Sequence, residues 1–138
     1  MEQQLGAWEG AILVCKNDIS KLEDLILEKK CLIKKVQCLD DRLIEFNHMR
    51  DRDIYAIDAV TNNVRAISSI CVDMDRAISG WKYRHARASI NTMIDNIECT
   101  IRSLENKIDA KYNEIAAYQQ KINNLKFEMS KKEEKKWF

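Results

Sequence analysis

The chain of 138 residues carries 23 basic and 22 acidic side chains, a net charge of +1, with no proline and three glycines. A single domain is expected at this length, and the small net charge argues against a dedicated nucleic-acid-binding protein, which usually shows a strong basic excess. The shortage of turn residues argues against a sheet protein, and the abundance of Leu, Ile, Glu and Lys predicts long helices.

The amino-terminal stretch MEQQLGAWEG lacks the basic flank and the long apolar core of a secretory signal peptide. The longest apolar run there, residues 11–15, is too short to cross a bilayer. We therefore expect a cytoplasmic protein. Export would need a route without a cleaved signal, together with a partner.

The first predicted element is a long helix over about residues 3–78. Its apolar residues alternate at spacings of three and four, the heptad pattern of a coiled coil. The spacing becomes three twice in succession from Ile33 through Val36 to Leu39, which predicts a local stammer. The polar stretch NHMRDRD, residues 47–53, leaves two interpretations open. It is either a charged patch on a continuous helix or a short loop that divides this arm.

A second apolar row accompanies the seam of the first arm. Its members, spaced seven residues apart, are Leu25, Leu32, Leu39 and Phe46. Together with the seam they form a stripe wider than two packed helices require. A lone hairpin would leave part of this stripe in water, so we expect another helix to cover it. That helix would come from a second copy or from a different protein.

The second predicted element is a helix over about residues 82–132, with a heptad seam from Ile90 to Met129. Ser79 and Gly80 precede it, and a glycine can close a helix in the left-handed conformation. We therefore predict a turn at residues 79–81 and an antiparallel two-helix hairpin, all-α and coiled-coil-like. In this register the first 20-odd residues would overhang, and residues 133–138 would form a frayed tail.

No pattern of catalytic or metal-binding residues is visible. His48 and His85 are isolated, no C-x-x-C motif occurs, and no glycine-rich phosphate loop is present. The sequence therefore predicts a non-enzymatic protein without metal or cofactor. The five cysteines are interpreted as small buried side chains, with a redox sensor as a minor alternative.

The segment around the predicted turn carries candidate contact residues. Cations at a helix amino terminus oppose the helix dipole, so the basic run Lys82–Arg87 should be offset by acidic groups. Asp73 and Asp75 are the expected local partners, and an acidic patch on another protein is the alternative. Trp81 could pack on the preceding helix or anchor a partner, since Trp is enriched at interaction hot spots.

Three features together resemble a bacterial secretion family: Ser79-Gly80-Trp81 at the predicted turn, the following helix ASINTMIDNIECTIRSLENKIDAKYNEI, and the aromatic end Trp137-Phe138. They are similar to the WXG-type proteins of type VII secretion, and more closely to the helical accessory proteins found with LXG toxins. The resemblance implies an adaptor or chaperone-like partner for the helical targeting domain of an effector, or for a second helical accessory protein. Residues predicted to contact the partner are Trp8, Leu25, Leu32, Leu39, Phe46, Trp81, Tyr83, Arg84 and Trp137.

A second hypothesis belongs to a different class. A sustained heptad seam is equally typical of a structural coiled coil, such as a flagellar or type III export stalk protein that resembles the FliJ type, or a homodimeric spacer. It predicts a homo-oligomer or an ATPase partner in place of an effector.

Overall fold

The computed structural model describes the backbone of residues 2–60 and 65–137, with the side chains of residues 2–53, 72, 73, 75, 76 and 80–135. All of this backbone lies in two helices, α1 (Glu2–Val60) and α2 (Arg65–Trp137). The two helices pack against each other, and the described residues include no strand. The predicted all-α helical hairpin is therefore confirmed.

The chain divides into two compact units, and each contains a stretch of both helices. Unit 1 consists of Met1–Lys29 and Thr100–Phe138, and unit 2 of Lys30–Cys99. In unit 1, Cys15 and Asp18 contact Glu114 and Lys111 respectively. As the residue numbers increase along α1, the residue numbers of their partners on α2 decrease. The two stretches are therefore antiparallel.

Unit 2 shows the same antiparallel order. Asp40 is paired with Arg87, and Arg50, ten residues further along α1, is paired with Asp75.

The buried residues of both units follow the heptad pattern. In unit 1, Cys15, Ile19 and Ile115 form a cluster against which Ile12 and Ile108 pack. The further buried residues of unit 1 are Ile26, Ile101, Leu104, Ile122 and Leu125, and those of unit 2 are Val36, Ile90 and Ile97. A two-helix seam of this kind removes one narrow stripe of each helix from water, and that burial is the main term favouring the folded state.

A charged layer interrupts the seam of unit 1. Lys111 occupies a seam position between Ile108 and Ile115, and its Nζ lies 3.6 Å from Asp18 Oδ2 and 3.7 Å from Glu114 Oε2. Glu114 and then Asp18 raise the pKa of Lys111 against the opposing effect of burial. Because a raised pKa means tighter proton binding in the folded chain, this contribution is present at neutral pH and is lost as pH rises through that pKa.

A second charged layer lies in unit 2 and corrects the predicted stammer. Asp40 is 16% exposed and accepts two hydrogen bonds from Arg87, through Nε and Nη2, each at 3.1 Å. The seam therefore runs from Val36 to Asp40 to Leu43 in regular spacings of four and three. Leu39, which the stammer placed in the seam, is 56% exposed. A charged residue can hold a core position here because its charge is paired in a two-point geometry.

The predicted turn at residues 79–81 is wrong. Ser79, Gly80 and Trp81 lie inside α2, and no described glycine has a positive φ. A single glycine in a helix costs only about 1 kcal/mol relative to alanine, which neighbouring packing can offset. The direction of the chain changes between Val60 and Arg65, across residues 61–64, which lie outside the described residues.

Three further expectations change with the position of the reversal. The first arm ends at Val60, not near residue 78, and the second begins at Arg65, not near residue 82. The first 20 residues do not overhang, because they pack against the carboxy-terminal part of α2 in unit 1. Residues 133–137 continue α2, since Lys and Glu are strong helix formers.

The polar stretch at residues 47–53 does not divide the first arm. Residues 47–53 are helical within α1, which confirms the interpretation as a charged patch on a continuous helix. Arg50 in this stretch is held by a hydrogen bond from its Nη2 to Asp75 Oδ1 at 2.8 Å.

Because Gly80 lies in a helix, replacing it with alanine should stabilise the protein, whereas the same substitution at a turn would destabilise it. An added Cβ would meet only Arg84 Nη2, at 3.9 Å, which is an ordinary contact. We expect Gly80→Ala to raise the free energy of unfolding by about 0.5–1 kcal/mol, measured by urea denaturation. Gly10→Ala, at a similarly open helical site, is the matched control and should show a comparable gain. A loss of stability in Gly80→Ala alone would place a turn there after all.

The buried cluster of unit 1 generates a second prediction. Ile115→Ala removes a side chain that is 7% exposed, and we expect a loss of about 2 kcal/mol in the free energy of unfolding. The value is at the low end for such substitutions because a thin two-helix core can close around the gap. Leu13→Ala, at a side chain 60% exposed in the same unit, should change stability by less than about 0.5 kcal/mol. Equal effects would mean that Ile115 is not a core residue.

Candidate functional site

The apolar row predicted along α1 is exposed to solvent. Leu25 and Leu32 are each 41% exposed, Leu39 is 56% and Phe46 is 64%. Each row residue directly precedes a half-buried or buried seam position, so the row follows one flank of the seam. Large apolar side chains exposed at regular spacing indicate a surface that another molecule covers.

Phe46 meets α2 at a groove that also contains Tyr83 and Ala86. One heptad backward from Phe46 on α1 lies Leu39, and one heptad forward from Ala86 on α2 lies Met93. In an antiparallel pair these two steps run in the same direction, so Leu39 and Met93 continue the surface that begins at the groove.

Met93 is 51% exposed, and Ala86 is half-buried. One further heptad back on α1 adds Leu32. We call the set Leu32, Leu39, Phe46, Ala86 and Met93 the apolar face, and all five belong to unit 2. The α2 members were not predicted from the sequence. The signal that could have found them is their shared flank position, one residue before the seam residues of α2.

The other predicted contact residues do not belong to this set. Leu25 and Trp8 belong to unit 1, and Trp8 is half-buried at a seam position of α1. The side chain of Trp137 lies outside the described residues.

Trp81 and Arg84 lie on other sides of α2. Trp81 precedes the half-buried Tyr83 by two residues, or about 200° around the helix, so it points away from α1. It is 63% exposed and its ring stacks on His85, with centroids 5.5 Å apart and planes 10° apart. Arg84 is exposed, and its Nε donates a hydrogen bond to the Gly80 carbonyl oxygen at 3.2 Å. Trp81 and Arg84 therefore lie outside the apolar face, and their contacts with a partner stay a prediction.

Two arginines of the basic run Lys82–Arg87 have contacts within the hairpin, Arg87 with α1 and Arg84 with its own helix. Arg87 is paired with Asp40 and lies 5.9 Å from the centroid of the Tyr83 ring. Asp75, the expected neighbour across a turn, instead accepts a hydrogen bond from Arg50. The reason is the position of the reversal, which places Asp75 and the basic run on one helix.

The cysteines divide into two environments. Cys15 is buried, and its Sγ donates a hydrogen bond to Glu114 Oε2 at 3.3 Å. Burial first, and then the bond to Glu114, raise the pKa of this thiol. Cys31, Cys38 and Cys99 are exposed thiols that form no disulfide, contrary to the expectation of buried side chains. Cys71 lies outside the residues whose side chains are described.

In the described part of the chain, no group of three or more His, Cys, Asp or Glu side chains is arranged to hold a metal ion. Neither helix contains, within the described residues, a stretch apolar and long enough to cross a membrane.

The two cysteine environments generate a reactivity prediction. We expect maleimide at pH 7 to modify Cys31, Cys38 and Cys99 readily in the folded chain and Cys15 slowly, because the thiolate is the reactive form and burial disfavours it. Peptide mass mapping after short exposure measures the four sites. Labelling in denaturant, where all sites should react alike, is the control. Rapid labelling of Cys15 in the folded chain would contradict its burial.

No family model, no curated protein and no solved structure shows a significant match to this chain.

Proposed function

We propose that this protein is a non-enzymatic helical adaptor that binds a helix of another protein along the apolar face. The observation that supports the proposal is the exposure of Leu32, Leu39 and Phe46 on a helix whose seam is already satisfied by α2. An apolar stripe beside a groove between two helices is the arrangement used by proteins that accept an amphipathic helix.

The energetics of this face fit a binding role. Complete burial of a Leu or Phe side chain is worth about 1.5–3 kcal/mol, so covering the exposed part of each row residue would contribute roughly 1 kcal/mol. Leu32, Leu39 and Phe46 lie on one continuous helix, so little conformational freedom is lost when a partner docks. A partner helix of two to three heptads could therefore bind with useful affinity.

The partner that we propose to test first is the helical targeting domain of a type VII effector, for which the chain would act as a chaperone-like adaptor. The hairpin architecture and the exposed Trp81 support this choice. Gly80 and Trp81 lie within α2, so a turn motif does not support this choice. On this proposal the protein acts in the cytoplasm and would leave it only together with its partner.

A structural coiled coil is the second candidate function. The regular alternation of the seam and its paired charged layers, Asp18 with Lys111 and Asp40 with Arg87, favour it, because such layers fix the register of coiled coils. It includes a stalk protein of a flagellar or type III export system and a homodimeric spacer. Light scattering separates the two functions, since a spacer is a stable homo-oligomer without any partner.

The adaptor function generates a binding prediction. We expect the double variant Leu39→Lys and Phe46→Lys to remain helical, because both side chains are exposed, and to lose capture of the effector's helical domain by at least about tenfold. Circular dichroism measures the first quantity, and surface plasmon resonance with the purified domain measures the second.

The matched control for this variant is Phe127→Lys, at a side chain 62% exposed on α2 in unit 1. It adds the same kind of charge at an apolar surface site outside the apolar face, and binding should be unchanged. Equal affinity of all three proteins for the domain would mean that the apolar face is not the docking site.

A further inference from the structure

Two exposed thiols lie on one stripe of α1 with basic side chains between them. Cys31 and Cys38 are seven residues apart, so they lie on the same face of the helix, away from the seam. Lys34 and Lys35 are three or four residues from both thiols, and residues at these spacings are neighbours on a helix surface. Arg42 adds a cation four residues after Cys38. We call these five residues the basic thiol stripe.

The groove beside Cys38 is lined by cations. Its lining residues are all from α1, and none of them is acidic: Lys34, Lys35, Val36, Cys38, Leu39 and Arg42. Within the described part of the chain, none of its three cations forms an ion pair. Asp41, three residues after Cys38, lines a different groove. The charged side chains that line the groove of the Cys38 thiol are therefore all positive.

The other exposed thiols have fewer cations near them. At the positions three and four residues away along its helix, Cys38 has three cations and one carboxylate. Cys31 has two cations and one carboxylate at these positions, and Cys99 has one of each, Arg102 and Asp95. The local positive charge thus decreases from Cys38 to Cys31 to Cys99, and all three thiols belong to unit 2.

We propose that the basic thiol stripe is a modification site for small anionic disulfides, with Cys38 as the principal site. The Cys38 thiol loses its proton to solvent, and the resulting thiolate attacks one sulfur atom of the disulfide. The S–S bond of the reagent breaks, a mixed disulfide forms, and the other sulfur leaves as a thiolate with the bonding electron pair. The protein thiol is oxidised and the reagent is reduced, so no further oxidant is required.

The mixed disulfide has no resolving thiol within the stripe. Residues seven apart on a helix are separated by about 10.5 Å along its axis, whereas the Cα atoms of a disulfide lie within about 7 Å of each other. Cys31 therefore cannot displace the reagent from Cys38 by forming an internal disulfide. The adduct on Cys38 persists until an external thiol removes it.

The groove of Cys38 also contains Leu39, a member of the apolar face. An anionic adduct on Cys38 would therefore add negative charge beside the surface used in the proposed function. The modification itself does not depend on that function, and a failure of effector binding leaves it unaffected.

The test compares the full chain's reactions with oxidised glutathione, an anionic disulfide at pH 7, and with cystamine, a cationic one. Peptide mass mapping gives a rate constant for each thiol, since trypsin cleaves between Cys31 and Cys38 at Lys34 and Lys35. The ratio of the two rates at one thiol cancels its thiolate content, because the thiolate is the reactive form toward both reagents.

We expect the ratio of the glutathione rate to the cystamine rate to be about tenfold higher at Cys38 than at Cys99 at low ionic strength. The ratio at Cys31 should lie between them. The differences should nearly vanish at about 1 M salt, where exposed charges are screened.

Charge reversal at Arg42 locates the effect, because Arg42 is four residues from Cys38 and eleven from Cys31. We expect R42E to lower the ratio at Cys38 by about threefold or more and to leave the ratio at Cys31 nearly unchanged. The matched control is K126E in unit 1, which makes the same change in net charge and should alter neither ratio. Circular dichroism checks that both variants remain helical.

Four results would overturn the proposal. They are the absence of a mixed disulfide at Cys38, equal ratios at the three exposed thiols, a ratio at Cys38 that salt does not change, and equal effects of R42E and K126E. The last result would assign the preference to the net charge of the chain and not to the groove.

Discussion

Two packed helices can bury one stripe each, and the rest of this structure depends on that limit. The heptad seams of α1 and α2 cover each other, with Ile19, Ile97 and Ile115 among the buried residues. The sequence of α1 contains more apolar residues than this seam can hold. The excess is concentrated on one flank, where Leu32, Leu39 and Phe46 stay in water. The same constraint that makes the hairpin stable thus leaves a surface suited to a third helix.

Charged seam positions decide where that surface lies. The pair of Asp40 with Arg87 places an aspartate in the core line of α1 and displaces Leu39 to the flank. Had Leu39 held the seam, the apolar row would have been part of the core. A buried charge is acceptable only when it is paired, and a pair of this kind fixes the register of the two helices. The register and the apolar face are therefore consequences of one arrangement.

The tryptophans contribute less to the exposed apolar surface than their rarity in the sequence suggests. Trp8 is half-buried at a seam position of unit 1, and Trp81 stacks on His85 on the side of α2 away from α1. The residues that do form a shared surface are ordinary leucines, a phenylalanine, an alanine and a methionine. These residues are important because of their position. Each directly precedes a seam residue of its own helix, and such positions on α1 and α2 lie on the same side of the hairpin.

Much of this architecture is determined by the sequence alone. Helix content, the antiparallel hairpin and the excess of the apolar stripe on α1 follow from periodicity, which depends only on spacing along one helix. The site of chain reversal was not accessible in the same way, because the heptad pattern continues through the true connection and a helical Gly80 resembles a helix end. The tertiary structure alone decided that reversal, the pairing of Asp40 with Arg87, and the addition of Ala86 and Met93 to the apolar face. Each of these depends on which residues of α2 stand opposite α1, and periodicity along a single helix carries no information about its partner.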